Sequence, residues 1–380
     1  MSMQTIRPKK KWVMTSRDAS LTGIGRKLVT TATVAGTALL LIYLPHLAGM
    51  SWHGLIGVLG GVSATTLIAL AALWLLGLWA HTYVLTAALP GLSRPRALLL
   101  NLSGSAVSNL FPFGGAAGMG LGFAMARTWR FSPAQFASFT AISNLWNVVG
   151  KLFVGAALVA LAIVAGVQFP ASIQGTIILG SGGLMAAMVV VVLALTTPTM
   201  MRAIGRLWDR TVNGLLAQTG SLRRIDAAGV LERLRQSCAG SISAGWGQMT
   251  FGILAYMALQ AALLAACLHA VGAHTSLLVI VAAFGVERVL SLFPLTPGGA
   301  GVTELGTVGV LLALGGDPVL VTAGVLLYRL YTFLLEIPVG GASAIVWMLR
   351  RPRRASVDPP CEEAITRIEG RAGAYDRVSV

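Results

Sequence analysis

Long apolar runs separated by short polar stretches fill most of the chain, and the runs are of two kinds. Uninterrupted runs at residues 28–47, 62–89, 133–167, 173–196, 244–271 and 319–347 each reach or exceed the roughly 20 apolar residues that cross a bilayer as a helix. Two further runs, residues 97–127 and 276–314, are broken near their middles. The first break reads Pro112-Phe113-Gly114-Gly115, and the second packs Pro294, Pro297, Gly298, Gly299 and Gly301 into a few residues. Proline ends a helix and removes a donor, whereas glycine frees the backbone. Each half of a broken run holds about 15 residues, too few to cross comfortably. Irregular backbone at membrane depth is tolerated only where protein or a wet cavity surrounds it. The pattern therefore predicts two helical hairpins that leave the membrane on the side they entered.

The two breaks resemble each other. Leu110-Phe111-Pro112 repeats as Leu292-Phe293-Pro294, and Gly114-Gly115-Ala116 repeats as Gly298-Gly299-Ala300. Charge then fixes orientation, because Lys and Arg collect on the cytoplasmic side. Arg94 and Arg96 precede the first broken run and Arg127 and Arg130 follow it, so it enters from inside. The loops flanking the second, 272–275 and 315–318, lack Lys and Arg, so it enters from outside. Each half reads span, hairpin, span, in opposite orientations, which is an inverted repeat.

The expected fold is an all-α polytopic membrane protein with six full transmembrane helices and two re-entrant hairpins. Residues 1–27 form a basic cytoplasmic tail, 28–350 the membrane domain and 351–380 a second cytoplasmic tail. The membrane domain divides into a first half (28–196), a cytoplasmic linker with amphipathic helices (197–241) and a second half (242–350). Both termini are expected in the cytoplasm, and the first apolar run is read as a retained span. The expected location is the cytoplasmic membrane of a prokaryote.

Composition agrees. Of 380 residues only 11% are charged, against about 25% in soluble domains. The formal net charge of +15 does not point to nucleic acid, because the basic residues sit in tails and inner loops. Three scattered cysteines and five histidines without an H-x-x-x-H pair indicate no metal site and no disulfide framework. No phosphate-binding loop, H-E-x-x-H or serine elbow occurs, so neither a cofactor nor an enzymatic activity is expected.

Charges inside spans are expensive and mark partners or wet paths. Asn144, Asn147 and Lys151 follow helical spacing and share one face, a stripe suited to an anionic phosphate. The bland alternative is a lysine paired with a carboxylate. Adjacent side chains diverge on a helix, so Glu287 and Arg288 are expected to have different partners, whereas Arg329 and Glu336 are seven apart and share a face. Two readings stand level: these four form an internal charge network, or Arg288 and Arg329 contact substrate. Glu304 is expected to stabilise the N-terminus of the helix after Gly301.

The run Pro294–Glu304, PLTPGGAGVTE, with Tyr328-Arg329 on the helix that follows, resembles the lysylphosphatidylglycerol synthase transmembrane, or flippase-like, family. Pro112-Phe113-Gly114-Gly115 looks like the first-half counterpart, although residues 114–118 lack the charges that many members carry there. The resemblance implies a lipid-translocating domain with two re-entrant elements; with only about 30 residues after the last span, the aminoacyl-transferring domain of the bifunctional members is not expected. Membrane lipids are the expected partners, together with a separate lipid-modifying enzyme. The expected function is movement of an anionic or phosphate-bearing lipid between leaflets by alternating access. The alternatives are a non-transporting scaffold for an envelope-lipid enzyme and an ion-coupled transporter of a soluble anion. Lys151→Ala and Arg329→Ala are expected to abolish transport in a folded protein.

Overall fold

The structure is a computed structural model that describes residues 52–110, 114–169, 227–292 and 301–350, with isolated positions between 175 and 209; for 227–243 it describes the backbone alone. Every regular element among these residues is a helix: α1 (Trp52–Gly60), α2 (Ala64–Ala88), α3 (Arg94–Leu110), α4 (Gly114–Thr128), α5 (Pro133–Val164), α6 (Ala227–Ala270), α7 (Leu277–Leu290), α8 (Val302–Ala313), α9 (Pro318–Arg329) and α10 (Glu336–Arg350). Four helical stretches are long and apolar enough to cross a membrane: Ala64–Ala88, Pro133–Val164, Ala244–Ala270 and Pro318–Arg350. They match four of the six expected spans. Of the other two, 28–47 lies outside the described residues and 173–196 is described only at isolated positions; both tails and Pro112, Pro294, Pro297, Gly298 and Gly299 also lie outside them.

Polar residues fix where the helices begin. The Ser63 hydroxyl accepts from the Thr66 N–H at the start of α2. Ser132 and Gln135 form a reciprocal capping box at α5, with Pro133 in the first turn. Ser276 caps α7, and Asp317 accepts from the N–H groups of Val319 and Leu320 ahead of α9. Side chains such as Ile68 and Leu76 on α2, Phe153 on α5 and Phe251 on α6 are left exposed on the outer faces.

α6 runs unbroken from Ala227. The amphipathic stretch read as part of a linker, 227–241, is thus backbone-continuous with the span at Ala244–Ala270.

The two broken runs are pairs of short helices. α3 and α4 are 17 and 15 residues long, or about 25 and 22 Å. They pack antiparallel along a seam of small residues. A methyl on Gly114 would strike the Ser108 backbone, one on Gly118 would strike Gly104, and Gly122 lies against Leu100. α7 and α8 are shorter, with 14 and 12 residues, and a methyl on Gly306 of α8 would strike Leu290 of α7.

The halves interlock. α2 packs along α6, with Gly252 and Gly245 against Tyr83, Val84 and Ala87. α7 of the second hairpin lies on α5 of the first half, so close that a methyl on Gly155 would come within 2.9 Å of the Gly285 carbonyl oxygen. Correspondingly, α3 of the first hairpin lies on α10 of the second half, where a methyl on Gly340 would strike Leu102 and Ala106. Each pair of short helices thus leans on a long helix distant from it in the sequence.

The last span is not a regular α-helix. Residues 330–334 form a π-turn between α9 and α10, closed by the Leu335 N–H donating to the Leu330 carbonyl at 2.7 Å. The inserted residue turns the segment beyond it away from the facing that α-helical spacing gives.

Candidate functional site

The candidate site is built on α5, which touches both hairpins. Phe136 near its start meets Gly122 of α4, and Gly155 further on meets Gly285 of α7. Thr140, Asn144, Asn147 and Lys151 form one stripe along it, at spacings of four, three and four. Thr140 Oγ1 donates to the Phe136 carbonyl, Asn144 Nδ2 to the Thr140 carbonyl and Asn147 Nδ2 to the Ser143 carbonyl, each at 2.9 Å. One donor hydrogen of each thus folds back onto the helix, and the side-chain oxygens keep their lone pairs. Asn147 Oδ1 is 3.1 Å from Nε2 of buried His81 on α2, and that imidazole stacks at 4.8 Å on Tyr256 of α6. Tyr256 in turn accepts from Gln260 at 2.9 Å.

Asn144 and Asn147 line a cleft of about 410 Å³ among α2, α3, α4 and α5. One turn past Asn147, the half-buried Lys151 enters a group of charges comprising Arg288, Glu287, Arg329 and Glu336.

Within that group the arginines already have partners. Arg288 is bonded to the carboxylate of its neighbour Glu287, donates to the Tyr328 hydroxyl at 3.0 Å and lies over the Phe284 ring at 4.7 Å. The expectation that Glu287 and Arg288 take different partners is therefore wrong. The backbone directions diverge, but a buried arginine is long enough to curl back, and desolvation makes the nearest carboxylate decisive. Arg329 Nε donates to Glu304 Oε1 at 2.7 Å and lies over Phe333 at 5.3 Å.

Glu304, 1% exposed, uses its other oxygen to accept from the Gly301 N–H at 2.7 Å and the Thr303 hydroxyl at 2.8 Å. Gly301 holds a φ of 89°, open to glycine and strained for other residues. The carboxylate thus serves at once as the helix cap and as the partner of Arg329. Glu336 instead accepts from Asn109 of α3 at 3.5 Å, with Ser105 and Trp74 beside the same carboxylate. Arg329 and Glu336, expected to share a face, are separated by the π-turn at 330–334.

Lys151 is the exception in this group. It makes no hydrogen bond or ion pair with any described residue.

The structure thus gathers Asn144, Asn147 and Lys151 on one face and brings Arg288, Arg329, Glu287 and Glu336 to its inner end. Gly114 and Gly115 open α4, and Gly301 and Glu304 open α8. Sequence reasoning missed His81, Tyr256, Gln260 and Asn109. His81 and Gln260 are polar residues inside apolar spans, which was signal enough. The role of Asn109 needed the contact between α3 and α10. Among the described residues, no group of three metal-ligating side chains occurs.

Long apolar helices, lipid-facing exterior side chains and a buried charged interior define an integral membrane protein of α-helical type. Residues 28–340 match the family model described as lysylphosphatidylglycerol synthase TM region. The chain belongs to that family, which ties it to membrane lipids. No curated protein matches it.

Proposed function

We propose that the protein moves an anionic, phosphate-bearing lipid between leaflets by alternating access. The observation that carries this reading is the stripe on α5, which runs from an open polar cleft to a lysine without a bonded partner among the described residues. A lone cation within a membrane span costs about 2.5–3.5 kcal/mol on insertion scales. A phosphate arriving from water needs such a donor to replace its hydration. Arg288 and Arg329, held by Glu287 and Glu304, organise the site, and Lys151 is the cation that meets the substrate.

The finer architecture belongs to the same reading: six spans, the divisions at 28–196, 197–241 and 242–350, and both termini in the cytoplasmic compartment of a prokaryotic cell. The short helices of both hairpins, below the roughly 30 Å of a hydrocarbon core, support re-entrant elements. The reciprocal hairpin packing supports an inverted repeat, in which transport sites gather where the breaks meet. Transport takes no chemical step, so the chain is read as a non-enzyme that works beside a separate lipid-modifying enzyme.

The test is reconstitution into vesicles carrying acyl-labelled phosphatidylglycerol, with external quenching to follow exchange between leaflets. We expect exchange well above that of empty vesicles, and its loss in a folded Lys151→Gln protein. Full exchange in that variant would move the site elsewhere. No exchange of any anionic lipid by the unaltered protein would leave a scaffold as the better reading.

A further inference from the structure

The cleft, whose lining on α5 ends at Asn147, one turn short of Lys151, has a chemistry of its own. Its polar lining includes Asn101, Ser105, Thr140 and Asn144, and among the described residues no Asp, Glu, Lys or Arg lines it. We propose that this cleft holds an uncharged, hydroxyl-rich part of the lipid head group, a polyol or sugar, while its phosphate sits at Lys151. The proposal rests on the translocation reading and specifies its substrate class.

Four observations support it. First, a cationic head group calls for a carboxylate or an aromatic cage, and a second phosphate calls for Arg, Lys or a row of N–H groups. Among the described residues the cleft presents amides and hydroxyls, with no carboxylate or basic side chain in its lining. Second, Thr140 spends its hydroxyl hydrogen and Asn144 one of its two amide hydrogens on their own helix at 2.9 Å. The lone pairs of Thr140 Oγ1 and Asn144 Oδ1 remain to take hydroxyl hydrogens. Third, Asn101 on the facing wall makes no hydrogen bond to a described residue, so its amide can both donate to and accept from a hydroxyl. Fourth, Phe136 and Phe139 add an apolar wall against which the C–H face of a ring can lie. Volume and distance fit as well. About 410 Å³ lies within the roughly 300–1,000 Å³ of small-molecule pockets. Asn144 and Lys151 are seven residues apart, about 10 Å along a helix, enough for a phosphate at one end and a hydroxylated unit at the other.

The experiment uses the full chain in vesicles with acyl-labelled phosphatidylinositol, phosphatidylglycerol, phosphatidic acid and an aminoacylated phosphatidylglycerol. The expected result is that phosphatidylinositol or phosphatidylglycerol exchanges about tenfold faster than phosphatidic acid, the worth of one or two hydrogen bonds. Asn101→Ala and Asn144→Ala should bring that ratio close to one. A parallel measurement in detergent follows the melting temperature with inositol 1-phosphate, glycerol 1-phosphate or inorganic phosphate. The polyol phosphates should stabilise the unaltered protein more than inorganic phosphate does, and Asn144→Ala should erase the difference. Equal exchange of phosphatidic acid, or fastest exchange of the aminoacylated lipid, would overturn the assignment. If nothing is transported but the melting shifts remain selective, translocation falls and the polyol site stands. If the melting shifts are unselective as well, the site falls too.

Discussion

The six charges within the membrane-spanning region do unequal work. Arg329 and Glu304 are the clearest case: the same carboxylate caps α8 and holds the guanidinium at 2.7 Å. Removing one member of a buried pair leaves the other uncompensated, at about 3–5 kcal/mol, whereas replacing both by apolar groups of similar size is often neutral. Arg329→Met and Glu304→Gln are each expected to lower the detergent melting temperature sharply, and the two changes combined to lower it by clearly less than the sum of the single losses. Two independent, additive losses would mean that the pair is not a unit. This revises the expectation from the sequence that Arg329→Ala leaves a folded, inactive protein. The sequence displayed Arg329 as a cation in a span. Its partner sits 25 residues earlier, in a stretch whose glycines and prolines hid the contact.

Among the elements, the π-turn is the feature that the sequence did not reveal. Residues 318–350 read as one apolar span, and nothing in Leu330–Leu334 (LYTFL) announces an extra residue. Deleting Thr332 should restore regular α geometry and rotate α10 by about 100°. Glu336 would then leave Asn109. Paired cysteines at 109 and 336, in a background without the native cysteines, should cross-link in the full-length helix and fail to do so after the deletion. Persistent cross-linking would mean that the turn does not set the facing of Glu336. The short helices of the hairpins, in contrast, were legible, since proline and glycine punctuate them and Gly104, Gly114 and Gly118 prepare the close approach. The seam between Gly155 and Gly285 is equally tight. Gly155→Leu is expected to cost about 1–3 kcal/mol or more through overpacking, seen as a lower melting temperature than Gly247→Leu would give on α6, where the glycine has open space around it.

At the scale of the whole molecule, apolar run lengths were enough to place four spans correctly. The interlocking was not legible, because contacts between residues hundreds of positions apart leave no mark in a local pattern. Opposed halves predict that a cysteine at Gly272 is labelled only from outside and one at Gly91 only from inside, and labelling of both from the same face would refute the inversion. The interlocking also sets a timetable for biogenesis. Leu102 and Ala106 meet Gly340, so the first hairpin waits for some 238 further residues (340 less 102) before its neighbour exists. At about 5–20 residues per second of synthesis, that is roughly 10–50 s during which Asn109 faces the bilayer or the insertion machinery without Glu336. A ribosome stalled before α10 should therefore leave a nascent chain whose first hairpin is open to proteolysis, and the completed chain should close it.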